Sequence, residues 1–169
     1  MTGETFHMYN HAPEGYRCPF CRLLAGEDLG PGGSNQNDII FRNDEVAIIM
    51  ASTWWRNTKG HVLIIPTRHF ENIYDLPPEL GTSIQRAARD AALAMKQAYQ
   101  CDGISTRQHN EPHGNQHVWH YHLHVFPRYR RDFLNLTWGR KTTAEERKPY
   151  AEKLRAVLQS LSCEATPND

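Results

Sequence analysis

The chain has 169 residues, of which 39% are hydrophobic, and both values are typical of one globular domain. Its 19 basic and 19 acidic residues cancel, so the charge balance gives no support for duplex nucleic acid or an anionic membrane as a partner. No apolar run approaches the length of about 18 residues that a spanning helix needs, and the N-terminus has no signal-peptide core. These features predict a soluble cytoplasmic protein.

The cysteines indicate a metal site or a redox motif rather than a disulfide framework. Four are present, at positions 18, 21, 101 and 163, and they are too few and too unevenly spaced for such a framework. Two form Cys18-Pro19-Phe20-Cys21. A thioredoxin-type dithiol normally follows a strand, whereas the polar residues 1–16 are predicted to form a flexible N-terminal arm. We therefore favour zinc, which needs two further ligands.

The hydrophobic pattern predicts strands alternating with two helices. Asn43-Asp44 favours a hairpin turn between the first two strands. The long helix starts near Asp75 with an apolar stripe, and Thr143 with Glu146 forms a capping box before the last helix. The predicted strands cover residues 38–42, 45–51, 60–66, 104–109 and 119–126, and the helices cover 75–100 and residues from 143 onward. This order predicts an α+β fold with a mostly antiparallel sheet.

Three histidines alternate with apolar residues in the stretch Trp119–Phe126. A spacing of two residues places His120, His122 and His124 on one face of a strand, with consecutive Cα atoms about 6.7 Å apart. The outer Cα atoms are then about 13 Å apart, too far for easy binding of one metal by all three. They could be the solvent-facing side of an antiparallel strand. Because further histidines lie nearby, we favour a site in which each imidazole has its own role.

This motif, preceded by Gly114-Asn115-Gln116 and followed by Val125-Phe126, resembles the histidine triad family of nucleotide hydrolases and transferases. Gly60-His61 before an apolar strand is a second part of the pattern, and the two-cysteine start resembles the family's zinc-bearing branch. The resemblance covers roughly residues 18–129. It implies a half-barrel sheet crossed by the long helix, one domain over residues 17–169 with a C-terminal extension from about residue 130, and a homodimer.

The resemblance also implies a two-step reaction at the α-phosphorus of a purine nucleotide. His122 would attack phosphorus and form a nucleotidyl-histidine that water then hydrolyses, with activity declining below about pH 6 as the imidazole takes a proton. His124 would stabilise charge on the phosphoryl group, and His61 would order the triad or relay a proton. The implied substrate contacts are Asn110, Gln116 and the neighbouring His117.

Two histidines would complete the zinc site. By resemblance to the zinc-bearing branch, the ligands are Cys18, Cys21, His69 and His120. A closed site with four protein ligands is structural, so we expect no catalytic role for this zinc. The remaining histidines, which are His7, His11, His109 and His113, are expected to be surface residues.

The chain departs from the family in the loop after the second strand. Many members have an Asp there that binds the ribose hydroxyls, whereas the segment Met50–Trp55 contains no acid. Trp54 or Trp55 could stack on the base instead, or one could pack under the loop while the other serves the dimer. His117 stands where Ser is common, which would alter the phosphate pocket or the proton supply. The role of Arg130–Trp138 stays open, including closure over a neighbouring site.

The leading hypothesis is a hydrolase of nucleoside phosphoramidates or dinucleoside polyphosphates. The third histidine, His124, favours the hydrolase branch, because the transferase branch typically has Gln there. The alternatives are a phosphorylase or nucleotidyl transferase with the same His122 intermediate, and a nucleotide-binding regulator with vestigial activity. A metal-dependent oxygenase built on a His-x-His pair is disfavoured, since no carboxylate partner is evident.

Overall fold

The structure is a computed structural model that describes residues 9–164, with side chains described to residue 161. Three α-helices and seven strands, together with short 3₁₀ turns, make up this part of the chain. The helices are α1 (Pro19–Leu24), α2 (Pro78–Tyr99) and α3 (Ala144–Glu164). The strands are β1 (Ile39–Arg42), β2 (Val46–Met50), β3 (Thr53–Trp55), β4 (Val62–Pro66), β5 (Gly103–Gln108), β6 (Leu123–Arg128) and β7 (Gly139–Lys141).

The main sheet has the strand order β1-β2-β4-β6-β5 and every neighbouring pair is antiparallel. The predicted hairpin turn is present, because Asn43 accepts hydrogen bonds from the backbone N–H groups of Glu45 and Val46. A separate ribbon pairs β3 with β7. The sheet does not close, α2 packs across it and α3 packs on α2. The predicted α+β fold with a half-barrel sheet, a crossing helix and a C-terminal helix is confirmed.

The central strands are buried on both faces, so each reads as a continuous apolar run. In β2, Ile48 and Met50 face α2, whereas Ala47 and Ile49 face α1. The predicted stripe of α2 is core, and its small residues let the helix lie close to the sheet; the buried members are Ile84, Ala87, Ala88, Ala91, Ala94 and Met95. The site described below lies on the α1 face.

The strand predicted over residues 119–126 begins only at Leu123. Leu123 pairs with Ile64, and the same register would place Tyr121 opposite Pro66, which has no N–H to donate. The N–H of Tyr121 instead donates to the carbonyl of Phe70 at 2.6 Å. The side chains nevertheless keep alternating, since Tyr121 and Val125 are both buried in the core on the α2 face.

Hydrogen bonds hold the start of the described chain and the start of α3. The backbone N–H groups of His11 and Ala12 donate to the Glu71 carboxylate. The predicted capping box of Thr143 and Glu146 is present at the start of α3. None of the helices within residues 9–164 is long and apolar enough to cross a membrane. The division into an arm, a domain and an extension stays a prediction, and His7 lies outside the described residues.

Candidate active site and metal-binding cluster

Four potential metal ligands converge where α1 meets the chain before β6. The donor atoms of Cys18, Cys21, His69 and His120, here called the cysteine–histidine cluster, all lie within 4.8 Å of one another. Sγ of Cys18 is 3.3 Å from Nδ1 of His120, and Sγ of Cys21 is 3.3 Å from Nδ1 of His69. Tetrahedral zinc, with bonds of about 2.3 Å to sulfur and 2.0 Å to nitrogen, sets such S···N separations at about 3.5 Å. The four residues therefore fit a zinc ion.

The helix α1 fixes both cysteines. Cys18 is its N-cap and accepts a hydrogen bond from the N–H of Cys21 at 3.5 Å. The helix buries Phe20, Leu23 and Leu24 against the sheet. Since residues three apart share a helix face, this packing directs the two thiols to one point.

His120 is oriented for metal binding by its second ring nitrogen. Nε2 lies 3.0 Å from the carbonyl oxygen of Pro66, and because a carbonyl only accepts, Nε2 carries the proton. The lone pair of Nδ1 is then directed at the thiols, as in metal sites whose histidines are held by backbone carbonyls. Burial raises the pKa of the Cys18 thiol to about 12. A thiolate there at neutral pH therefore depends on a bound cation.

His122 is held in one orientation by the backbone of its neighbour. Its Nδ1 lies 2.7 Å from the carbonyl oxygen of His120, so Nδ1 carries the proton and Nε2 has the lone pair. The side chain is 5% exposed, and burial lowers its pKa to about 4. Phe20 lies edge-on to both His120 and His122, with ring centroids 5.6 and 5.5 Å away. His122 is thus a neutral, fixed imidazole with one nucleophilic nitrogen.

His61 and His124 form a stacked pair beside His122. Nδ1 of His124 lies 3.4 Å from Nε2 of His61, and the ring centroids are 5.6 Å apart. Burial lowers the pKa of His61 to about 3 and lowers that of His124 as well. The ring of His124 is also 5.0 Å from that of His122. The three predicted catalytic histidines are therefore adjacent, and all are neutral at pH 7.

The glycine before His61 is required by geometry. Gly60 has φ +80°, and a Cβ there would lie 2.7 Å from Cδ1 of Tyr150 and 3.0 Å from Cε2 of Tyr99. A residue with a side chain would be strained and would collide with both rings. Gly60 therefore lets β4 start close to α2 and α3, with His61 on the triad face.

Two residues that sequence reasoning missed lie beside the triad. His109 was expected on the surface, but it is half-buried, and its ring centroid is 5.7 Å from that of His124. Arg107 pairs with His124 across β5 and β6, and its guanidinium lies 5.2 Å from the centroid of the Phe126 ring. Arg107 also donates a hydrogen bond to Asn135 of the C-terminal segment. Arg107 and His109 are two residues apart, and this spacing places both on one face of a strand, so the sequence did contain a signal for them.

Two of the predicted substrate contacts have other roles in the structure. Gln116 is 3% exposed; its Oε1 accepts from the N–H of Glu111 and its Nε2 donates to the carbonyls of Glu71 and Val118. These bonds hold the loop before the triad, and a contact of the Gln116 amide with phosphate stays a prediction. Asn110 accepts from the N–H of Ile73 and exchanges two hydrogen bonds with Gln108.

His117 is exposed, although it lies close enough to His122 to lower that residue's pKa slightly. Its predicted contact with substrate stays a prediction.

Trp54, which was predicted to stack on a base, lies mostly in the core. It is 3% exposed and packs edge-on against Tyr150, and its contact with a base stays a prediction. Trp55 alternates to the other side and lies 5.6 Å from His61 and 5.5 Å from Phe126, between ring centroids. Beyond it is a cavity of about 480 Å³ that Trp54, Trp138 and Arg140 also line. Trp55 is therefore the indole that contacts His61.

An α+β half-barrel with adjacent histidines above an open sheet defines a histidine triad protein. The HIT domain family model matches residues 33–131. The Bacillus subtilis protein called hit is 31% identical over 146 residues, which cover 86% of this chain and 92% of that protein. The chain belongs to the HIT family, as the sequence motif predicted.

Two solved structures agree with this assignment. A HIT-like protein of Bartonella henselae involved in cell-cycle regulation has a TM-score of 0.72 and 28% identity, covering 87% of this chain and 99% of its own. A zinc-bound histidine triad family protein of Mycobacterium smegmatis has a TM-score of 0.70 and 26% identity, covering 87% and 96%. One relative of this fold thus holds zinc, and this chain has a cysteine–histidine cluster that is compatible with zinc.

Proposed function

We propose that this protein is a nucleotide hydrolase that cleaves a bond to the α-phosphorus of a purine nucleoside phosphoramidate or dinucleoside polyphosphate. The hydrogen bond from Nδ1 of His122 to the carbonyl of His120 carries the proposal, because it directs the Nε2 lone pair outward as a nucleophile. Nε2 attacks phosphorus, the bond to the leaving group breaks, and a nucleotidyl-histidine forms. Water then attacks the same phosphorus and returns the electron pair to Nε2.

His124 and Arg107 are the groups that stabilise the phosphoryl charge in this proposal. Nδ1 of His61 has no hydrogen-bond partner among the described residues. An unpaired acceptor costs less than an unpaired N–H donor, so we place the proton of His61 on Nε2 and leave its Nδ1 as the acceptor without a partner. Nε2 of His61 then donates to Nδ1 of His124. Nε2 of His124 therefore carries a proton that it can donate to a phosphoryl oxygen. Arg107, which lies opposite His124, adds a fixed positive charge. These two residues are the proposed phosphate contacts in addition to the predicted Gln116.

Zinc has a structural role in this proposal. Cys18, Cys21, His69 and His120 would hold the ion, and four protein ligands leave no position for substrate. The ion would join α1 to the segment that carries His122. The imidazoles of the triad and the guanidinium of Arg107 supply the chemistry in this proposal.

We also propose a cytoplasmic homodimer that pairs two sheets edge to edge. The strands at the two edges are β1 and β5. The edge at β1 is covered by α3, since Arg155 donates to the carbonyls of Asn37 and Ile39. The edge at β5 is then the one open to a second copy. Sedimentation equilibrium of the zinc-loaded protein tests this, and a monomer at all micromolar concentrations would contradict it.

The covalent intermediate is the direct test of the proposed hydrolase. A labelled adenosine 5′-phosphoramidate is mixed with the protein and quenched within milliseconds, and the protein is examined for an acid-labile N–P adduct. We expect an adduct on the wild type and on His113→Ala, a control in the exposed part of the loop, and none on His122→Ala. Loss of turnover in His122→Ala should reach several orders of magnitude. An adduct or near-normal turnover in that variant would overturn the assignment.

A further inference from the structure

We propose that His109 is the acid that protonates the leaving group and the base that activates water in the second step. The inference rests on the proposed hydrolase function and adds a residue to it. In the first step the P–N or P–O electron pair goes to the leaving atom, and the imidazolium of His109 donates a proton to that atom. In the second step neutral His109 takes a proton from the attacking water while the phosphorus–His122 bond breaks. The two steps balance and restore His109.

The triad itself lacks a free proton donor for this purpose. In His122, Nδ1 is engaged by the His120 carbonyl and Nε2 is the nucleophile. In His61, Nε2 faces His124 at 3.4 Å. His124 has one proton, and the hydrogen bond to phosphate uses it. An amine or alkoxide leaving group therefore needs a proton from a further residue.

The ring of His109 is oriented for proton transfer. Its Nδ1 lies 2.7 Å from the carbonyl oxygen of Gly114, which only accepts, so Nδ1 keeps its proton and Nε2 is the nitrogen that exchanges one. The ring is edge-on to His124, with a centroid distance of 5.7 Å and an interplanar angle of 78°. It is half-buried, which keeps it within reach of solvent for reprotonation.

The loop that holds this orientation is itself rigidly bonded. Gly114 ends the 3₁₀ turn Pro112–Gly114, and Gln116 joins that loop to the backbone at Glu111 and Glu71. The side chain of Gln108 donates to the carbonyl of His109 at 2.9 Å. The buried amide of Gln116 therefore positions the proton donor.

Two imidazoles and one guanidinium are near the ring of His109. The imidazoles are those of His122 and His124 on the triad segment, and the guanidinium is that of Arg107 on β5, opposite His124. The two imidazoles are neutral at pH 7 because burial lowers their pKa, and Arg107 is cationic.

The test compares two leaving groups on the same adenylyl group. Adenosine 5′-phosphate p-nitrophenyl ester releases a phenolate that needs no proton, whereas an adenosine 5′-phosphoro-alkylamidate releases an amine that does. We expect His109→Gln to lower kcat/KM about 10²- to 10⁴-fold for the alkylamidate. With the nitrophenyl ester it should stay within about threefold of the wild type, and His113→Ala should be unchanged on both. The alkaline limb of the pH–rate profile should disappear in His109→Gln.

The outcomes separate this inference from the proposed function. Equal losses on both substrates in His109→Gln and His109→Asn would show a merely structural role and overturn the inference, as would no loss on either. Thermal unfolding of both variants shows whether the fold is kept. If the wild type forms the His122 adduct but His109→Gln shows no dependence on the leaving group, only this inference fails. If no adduct forms on the wild type, the proposed function fails first.

Discussion

The carbonyl oxygen of His120 accepts a hydrogen bond from Nδ1 of His122 at 2.7 Å, so the backbone of a predicted metal ligand fixes the tautomer of the predicted nucleophile. The imidazole of the same His120 lies 3.3 Å from Sγ of Cys18. Metal binding and nucleophile orientation are therefore joined through a single residue.

Removal of the metal should lower both stability and activity. We expect about one zinc per chain, and Cys18→Ser should lose it and unfold with a free energy lower by roughly 4 kcal/mol or more, since loss of a metal site falls in that range. For a chain of this size that corresponds to about 10 °C in Tm. Elemental analysis and calorimetry measure both quantities. Cys101→Ser, at a buried thiol outside the cluster, is the control that should keep its zinc. Zinc-free wild-type protein with unchanged stability would refute the prediction.

The acid limb of the pH–activity profile should lie at a lower pH than the sequence alone predicts. Burial lowers the pKa of His122 to about 4, so the nucleophile stays neutral and active well below pH 6. The kcat/KM of the wild type should fall with a midpoint near pH 4 when measured with the nitrophenyl ester, which needs no proton donor. A midpoint near pH 6 with that substrate would show that His122 is more hydrated than the structure has it.

Acid should also unfold the protein through its buried histidines. The pKa of His61 is lowered to about 3 and that of His122 to about 4, both below the ordinary value of about 6.5 that applies in the unfolded chain. Their contribution to stability is complete above about pH 6.5. It is lost as the pH falls from there towards 4 and 3, because the unfolded chain then binds protons that the folded chain does not.

Each of these two groups should lower the free energy of unfolding by up to about 1.4 kcal/mol per pH unit within that window. Urea unfolding at pH 7, 6, 5 and 4 measures the slope. Substitution His61→Phe should reduce the slope, whereas the exposed control His113→Ala should leave it unchanged. A slope that is the same in all three proteins would contradict the assignment.

Arg107 should contribute to binding of the phosphoryl group. Charged hydrogen bonds contribute about 1.5 to 3 kcal/mol, so Arg107→Met should lower kcat/KM roughly 10- to 100-fold. Since the guanidinium also lowers the pKa of His61 and His124, its removal should raise both. Steady-state kinetics and histidine NMR titration test the two effects. Arg86→Met, at an exposed position on α2, is the matched control. Unchanged kinetics in Arg107→Met would exclude the arginine from the site.

The sequence by itself determined the chemistry that is available and the main elements. Alternation of apolar residues predicted β2, β4 and α2, because burial on a fixed period is a local property of strands and helices. The two-residue spacing of His120, His122 and His124 predicted that they share a face, and the side chains do so although β6 starts at Leu123. The resemblance to the zinc-bearing branch of the family predicted the four candidate metal ligands, and the fold brings their donor atoms within 4.8 Å of one another.

Tertiary structure alone decided which polar and aromatic side chains reach the site. The side chain of Gln116 forms hydrogen bonds within its own loop and to the carbonyl of Glu71. Trp54 lies mostly in the core, whereas Trp55 lies beside His61. His109 reached the triad because its ring is held by the carbonyl of Gly114. Side-chain direction in irregular segments depends on turn geometry and on which backbone carbonyls are left unpaired nearby. Those partners come from distant parts of the chain, and no local periodicity encodes them.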